Sequence, residues 1–365
     1  MTRVIIRVME RIRSLSFVEL LPVIVVLVGT AIAGVILFGP KITGGGAAEH
    51  TAIETCAGTN NFKCYEAYLT DKATSSDAVQ AIEVLKKAYA VDEYVKSQCH
   101  QLTHVVGHAA YEKYGSLAAA YTKGDGFCWS GYYHGVTEEA VGDLGADGIR
   151  AEANNICAEL ARTKPYSFDH YNCVHGLGHG FLTVDNFELF KALTSCDLLH
   201  SSWDRESCYG GVFMENVMVV ARGTGGTTAY LKPSEPLYPC TAVDTPYKQQ
   251  CYLMQTSYAL QQNGYNFAEV FRLCRDVADT SYTTTCYQSA GRDASGSTLS
   301  DIEQTKSKCT QAPDTTGIEN CMLGAVRDFV SYYHNDSKAK ALCASFGADL
   351  EPRCVQEVDV YYRTF

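Results

Sequence analysis

Residues 251–274 read CYLMQTSYALQQNGYNFAEVFRLC, and this stretch holds one complete structural unit. A helix opens at Cys251 and runs to Gln262, where Asn263-Gly264 stops it, because both residues tolerate the left-handed backbone of a helix C-terminus. A second helix follows from Phe267 into Cys274. Cysteines thus stand at both ends of a helix–turn–helix unit, and each has a neighbour across a loop. Cys240 lies 11 positions before Cys251, and Cys286 lies 12 after Cys274.

The same beat runs along the chain. Cys343/Cys354, Cys309/Cys321, Cys274/Cys286, Cys240/Cys251 and Cys196/Cys208 are 11, 12, 12, 11 and 12 positions apart, and their second members recur every 33 to 43 residues. That is the period of a two-helix repeat. The longest step contains ARGTGGTTAYLKPSEPLYP, residues 221–239, with three prolines, which reads as a loop insertion. Upstream, Cys157/Cys173, Cys99/Cys128 and Cys56/Cys64 complete the sixteen cysteines with separations of 16, 29 and 8. Adjacent pairs are therefore expected to be disulfides, each clipping the end of one helical pair to the helix that opens at the next cysteine. Each such loop contributes about 3 kcal/mol in a chain-entropy estimate. Reduced, metal-binding thiols are the alternative, but no CxxC occurs, and outside the cytoplasm thiols are oxidised. In repeat length and stapling alone, from about Cys56 to Phe365, the chain resembles the cysteine-rich Sel1-like and tetratricopeptide-type helical repeat proteins. The resemblance implies an all-α, disulfide-stapled repeat array, an α-solenoid or toroid with a concave ligand-facing surface, and it implies no activity.

Compartment follows from the N-terminus. Leu20 to Phe38 carries nineteen residues without a charge, about 29 Å of helix, which matches the hydrocarbon core of a bilayer. Arg3, Arg7, Arg11 and Arg13 precede it and only Lys41 follows closely, so residues 1–19 are expected in the cytoplasm and the body outside it, with a cleaved signal peptide as the alternative. Residues 39–55 form a Gly-rich linker, 56–220 a histidine-rich set of repeats and 240–365 a C-terminal set. With 30 Lys+Arg against 41 Asp+Glu the net charge is −11, which disfavours nucleic acid as a partner. The expected partners are the membrane, through the span, and an extracytoplasmic protein, glycan or small molecule.

Seven of the ten histidines fall between positions 100 and 179. His100, His104 and His108 are spaced i, i+4, i+8, His175 and His179 are i, i+4, and His134 has Glu138 one turn on, so each set lies on one helix face. His134 and His179 both stand six positions after a cysteine, where the following repeat has Met214 with Glu215 beside it. Equivalent positions in stacked repeats share a surface. His100, His104, His108, His134, His175, His179 and Met214 are therefore candidate ligands of a transition metal ion (copper, zinc or iron), with Glu138 and Glu215 as ligands or proton-transfer groups. Non-covalent haem is a further option. HExxH, CxxCH, GxSxG, P-loop and GxGxxG motifs are absent. The glycines at 107, 131, 135, 176, 178, 180, 210 and 211 are costly inside helices, and close packing or room for a ligand would offset that. The other reading of these histidines is a buried polar network donating to backbone carbonyls, on a non-enzymatic interaction module. Further along, the same register carries Arg292 and Arg327, so the face is expected to turn from imidazole to guanidinium, a gradient suited to an anionic ligand.

Overall fold

The computed structural model describes residues 53–124, 126–221, 228–333 and 335–364. The expected span at Leu20–Phe38 and most of the linker lie outside them, and no described helix is long and apolar enough to cross a membrane. The described residues are all-helical, within one compact unit of residues 52–365. In chain order the helices are α1 (Phe62–Ser75), α2 (Ala78–Val91), α3 (Glu93–Tyr114), α4 (Leu117–Tyr121), α5 (Gly131–Gly142), α6 (Gly145–Ile156), α7 (Ala158–Thr163), α8 (Phe168–Val184) and α9 (Leu189–Cys196). They continue as α10 (Ser202–Ala221), α11 (Thr245–Gln262), α12 (Phe267–Arg275), α13 (Thr280–Gly296), α14 (Ile302–Cys309), α15 (Thr315–Tyr333), α16 (Ser337–Ser345) and α17 (Glu351–Tyr362).

All eight expected disulfides are present, with Cα–Cα separations of 5.4–5.9 Å. The unit legible at 251–274 is α11, a turn at Asn263-Gly264, and α12. One detail differs: the second cysteine of a pair does not open its helix. Cys173, Cys251 and Cys286 lie more than one turn inside α8, α11 and α13. The starts are set instead by polar residues upstream. Ser167 and Asp279 accept from the first free backbone N–H groups, the usual satisfaction of a helix N-terminus. The clip therefore grips a helix flank, where a buried sulfur packs between layers.

The longer helices pack in sequence, α3 on α5, then α8, α10, α11, α13, α15 and α17, while the short α9, α12, α14 and α16 back them. This row folds back on itself. The N–H of Phe168 at the start of α8 donates to the carbonyl of Thr364 just past α17 at 2.8 Å, and Trp129 before α5 lies against Gly296 at the end of α13. The expected all-α fold with its stapling disulfides is thus present among the described residues.

Glycines set the closest helix approaches. A Cβ on Gly107 would lie 2.1 Å from the carbonyl oxygen of Tyr132, and one on Gly135 2.2 Å from that of His104, so α3 and α5 touch backbone to backbone. The same reciprocal contact joins Gly178 to the carbonyl of Cys208 and Gly211 to that of His175 between α8 and α10, and Gly291 with Gly324 between α13 and α15. Close packing, more than space for a ligand, is what these glycines supply. It also brings the histidines of neighbouring helices within reach.

Candidate metal centre

The histidine cluster grows out of the first four inner helices. α3 carries His100, His104 and His108, α5 carries His134 and Glu138, α8 carries His175 and His179, and α10 carries Met214 and Glu215. Their side chains meet. His134 lies with its ring 4.5 Å from His179 and 5.0 Å from His175, both stacked, and 5.2 and 5.5 Å from the edge-on rings of His100 and His104. All five are buried.

Hydrogen bonds fix the direction of four of these five rings. Nδ1 of His100 lies 2.8 Å from the carbonyl oxygen of Cys128, which can only accept, so Nδ1 carries the proton. Nδ1 of His104 lies 3.0 Å from Glu138 Oε2. Burial alone would raise the Glu138 carboxyl, but the surrounding His104, His108 and His179 hold it well below the usual range, so it too accepts. Burial also lowers the pKa of His104 despite the pull of Glu138. In neutral rings of these tautomers both Nε2 atoms bear lone pairs, yet they face each other at 3.1 Å. Two lone pairs at that distance call for a cation between them, a proton shared as N–H···N or a metal ion. Metal–imidazole bonds of about 2.0–2.1 Å with ligand angles from square to tetrahedral separate two nitrogens by roughly 2.9–3.4 Å, and the observed spacing falls inside that window.

Other rings repeat the arrangement. Nδ1 of His179 donates to Glu215 Oε2 at 2.8 Å, leaving a buried Nε2 with no protein partner, and both ring nitrogens of His134 are buried without one. Burial first, and then the neighbouring imidazoles, push the pKa of His134 far down. A carboxylate holding the outer nitrogen of a histidine while the inner one points at a common centre is the pattern that orients metal-binding imidazoles. Ligand atoms of His100, His104 and His134 lie within 4.8 Å of one another, as do those of His134, His175 and His179, and the sets His104/His108/Glu138 and Glu138/His179/Glu215 meet the same limit. These groups can hold a metal ion.

The candidates are not equivalent. His108 is partly exposed, with Nδ1 2.7 Å from Glu139 and Nε2 3.2 Å from Glu138. Burial lowers its pKa, but the two carboxylates outweigh that and raise it, so it closes the rim as an ion-paired group. Met214 Sδ lies 3.5 Å from His175 Nε2, and the hydroxyl of Tyr171 is 3.1 Å from His175 Nδ1. His170 stands apart against Trp203 and Asp204. Bis-histidine haem is not accommodated, because rings stacked or edge-packed at 4.5–5.5 Å leave no plane between them for a macrocycle.

Sequence reasoning missed the main-chain carbonyl of Cys128 and the aromatic surroundings. Cys128, Trp129 and Ser130 all have φ of 55–61°, a left-handed run that L-residues adopt only when held. The Cys99–Cys128 disulfide holds it, and the turn aims the Cys128 carbonyl at His100. A cavity of about 400 Å³ opens beside the cluster, and His134, His175 and Met214 line it together with Arg292 and Arg327. The expected imidazole-to-guanidinium gradient thus runs across a cavity. No family model matches this sequence, and no curated protein and no solved structure matches it.

Proposed function

We propose that this chain is a membrane-anchored, extracytoplasmic metal protein whose buried histidines hold a copper, zinc or iron ion, serving a redox or hydrolytic reaction in the adjoining cavity. The observation that carries the reading is the 3.1 Å approach of the His100 and His104 Nε2 atoms when both Nδ1 protons are already committed to oxygen acceptors. All-nitrogen ligation suits those three metals. An ion there would supply Lewis acidity or one-electron chemistry. The chain's own residues do the rest: Glu138 and Glu215 orient His104 and His179 and hold their protons, His134 bridges the two halves of the cluster, and the packed helices keep water from it. Eight disulfides and the apolar N-terminal stretch support the compartment.

The test is elemental analysis of the full chain purified under oxidising conditions, beside His134→Ala and His179→Ala. Stoichiometric metal in the wild type that falls in either variant supports the proposal. Metal-free protein whose thermal midpoint is unmoved by added copper, zinc or iron contradicts it and leaves a non-enzymatic helical module.

A further inference from the structure

The cavity has the build of a small-molecule site. Its volume of about 400 Å³ is in the range of ligand pockets, which combine mostly apolar walls with a few placed polar groups. Trp129, Tyr166, Phe168, Tyr171, Trp203 and Tyr361 supply the walls. Both tryptophans of the chain are among them.

The polar groups are asymmetric. Arg327 is held by one bond, Nε to Glu357 Oε1 at 2.6 Å, and its two Nη groups have no partner among the described residues. Arg292 spends Nη2 on Ser257 and Asp293 and Nη1 on the sulfur of Met254. Its charge also reaches His175, where it adds to burial and the neighbouring imidazoles in lowering the pKa. Asp328 also lines the cavity, but its carboxylate accepts from Ser295 Oγ at 2.5 Å, and burial pushes its pKa up to about 6, which weakens it as a counter-charge. The carboxylates of Asp293 and Glu357, which pair with the two arginines, do not line the cavity. A planar guanidinium with open Nη groups matches a carboxylate or phosphate.

We infer that the cavity binds a small organic anion, a flat and mostly apolar body whose oxyanion sits on Arg327, with the charge of Arg292 in support, and whose other end meets His134 and His175. This rests on the metal-centre reading for the fate of the ligand and not for its binding. The closing experiment therefore separates the two.

Emission from Trp129 and Trp203 reads the site directly. The full chain is titrated with phenylacetate, phenyl phosphate and the neutral phenylacetamide. A saturable change with one or both anions is expected, with the amide weaker by roughly tenfold or more, as loss of a charge-assisted contact implies. Arg327→Gln should weaken the anion by a similar factor and Arg327→Lys by less, whereas Arg272→Gln, at an exposed arginine outside the cavity, should leave affinity within about twofold. Whichever anion binds tighter identifies the oxyanion. No saturable change with either anion, an amide that binds as well as the acid, or an Arg327→Gln protein with unaltered affinity would each overturn the inference. Anion binding by protein that purifies without metal and whose thermal midpoint added copper, zinc or iron leaves unmoved would keep the inference standing while the metal reading fell.

Discussion

Asp328 places a carboxyl where water barely reaches, and burial, opposed only by the Ser295 and Trp129 hydrogen bonds and the charge of Arg292, pushes its pKa to about 6 from 3.8. The folded state therefore keeps a proton that the unfolded chain gives up. Its stability contribution is complete below about pH 4 and is lost as pH rises through about 6, a cost on the order of 2–3 kcal/mol. Asp328→Asn should accordingly gain stability over wild type between about pH 4 and pH 7.5 in denaturant titrations; parallel curves for the two proteins would show that the carboxyl is not strained by burial. The histidines act with the opposite sign. His134 and His175 have depressed pKa values, so their contribution is present above about 6.5 and disappears as pH falls. Chelator-treated protein should lose stability from about pH 7 to pH 5, and His134→Ala should flatten that slope. The histidines were legible as a set because helical spacing put them on common faces. Their partners were less so: a backbone carbonyl such as that of Cys128 has no letter in the sequence, and Trp129 offered nothing to separate it from a packing residue.

Among the helices, the reciprocal glycines set how near two faces can come. A Cβ on Gly211 would lie 1.9 Å from the carbonyl oxygen of His175, whereas one on Gly142 meets nothing within 4 Å. Gly211→Ala must force α8 and α10 apart and should cost at least about 1–3 kcal/mol. Gly142→Ala should be neutral or stabilise by about 0.4–1 kcal/mol. Chemical denaturation measures both, and a Gly211→Ala protein as stable as wild type would remove backbone contact as the reason for the glycine. Helix existence and order were readable from the cysteines, but helix starts were not. The eye goes to the cysteine at 286, while the backbone obeys Asp279, whose side chain satisfies the N–H of Ser281. Capping is decided by one short polar residue upstream and leaves the apolar periodicity unchanged.

For the whole molecule, the disulfide ladder was written plainly in the spacing, because each clip closes a loop a few turns long and needs no distant partner. Removing one by Cys196→Ala with Cys208→Ala should cost about 3 kcal/mol and lower the denaturation midpoint under non-reducing conditions; an unchanged midpoint would show that this clip adds nothing to helical packing. The contact of the C-terminus with α8 was not legible, since the bond from Phe168 to Thr364 joins segments with no shared local signal. That folding back brings imidazoles and guanidinium groups from distant parts of the chain to the lining of one cavity. The central claim is that helices far apart in the chain share one metal ion through buried imidazoles. Anomalous diffraction from crystals of the protein, collected at the absorption edge of the bound metal, tests it most directly. The account predicts a peak about 2.0–2.2 Å from His104 Nε2 and within bonding distance of His100 and His134; no peak in the cluster, or metal only on surface carboxylates, would contradict it.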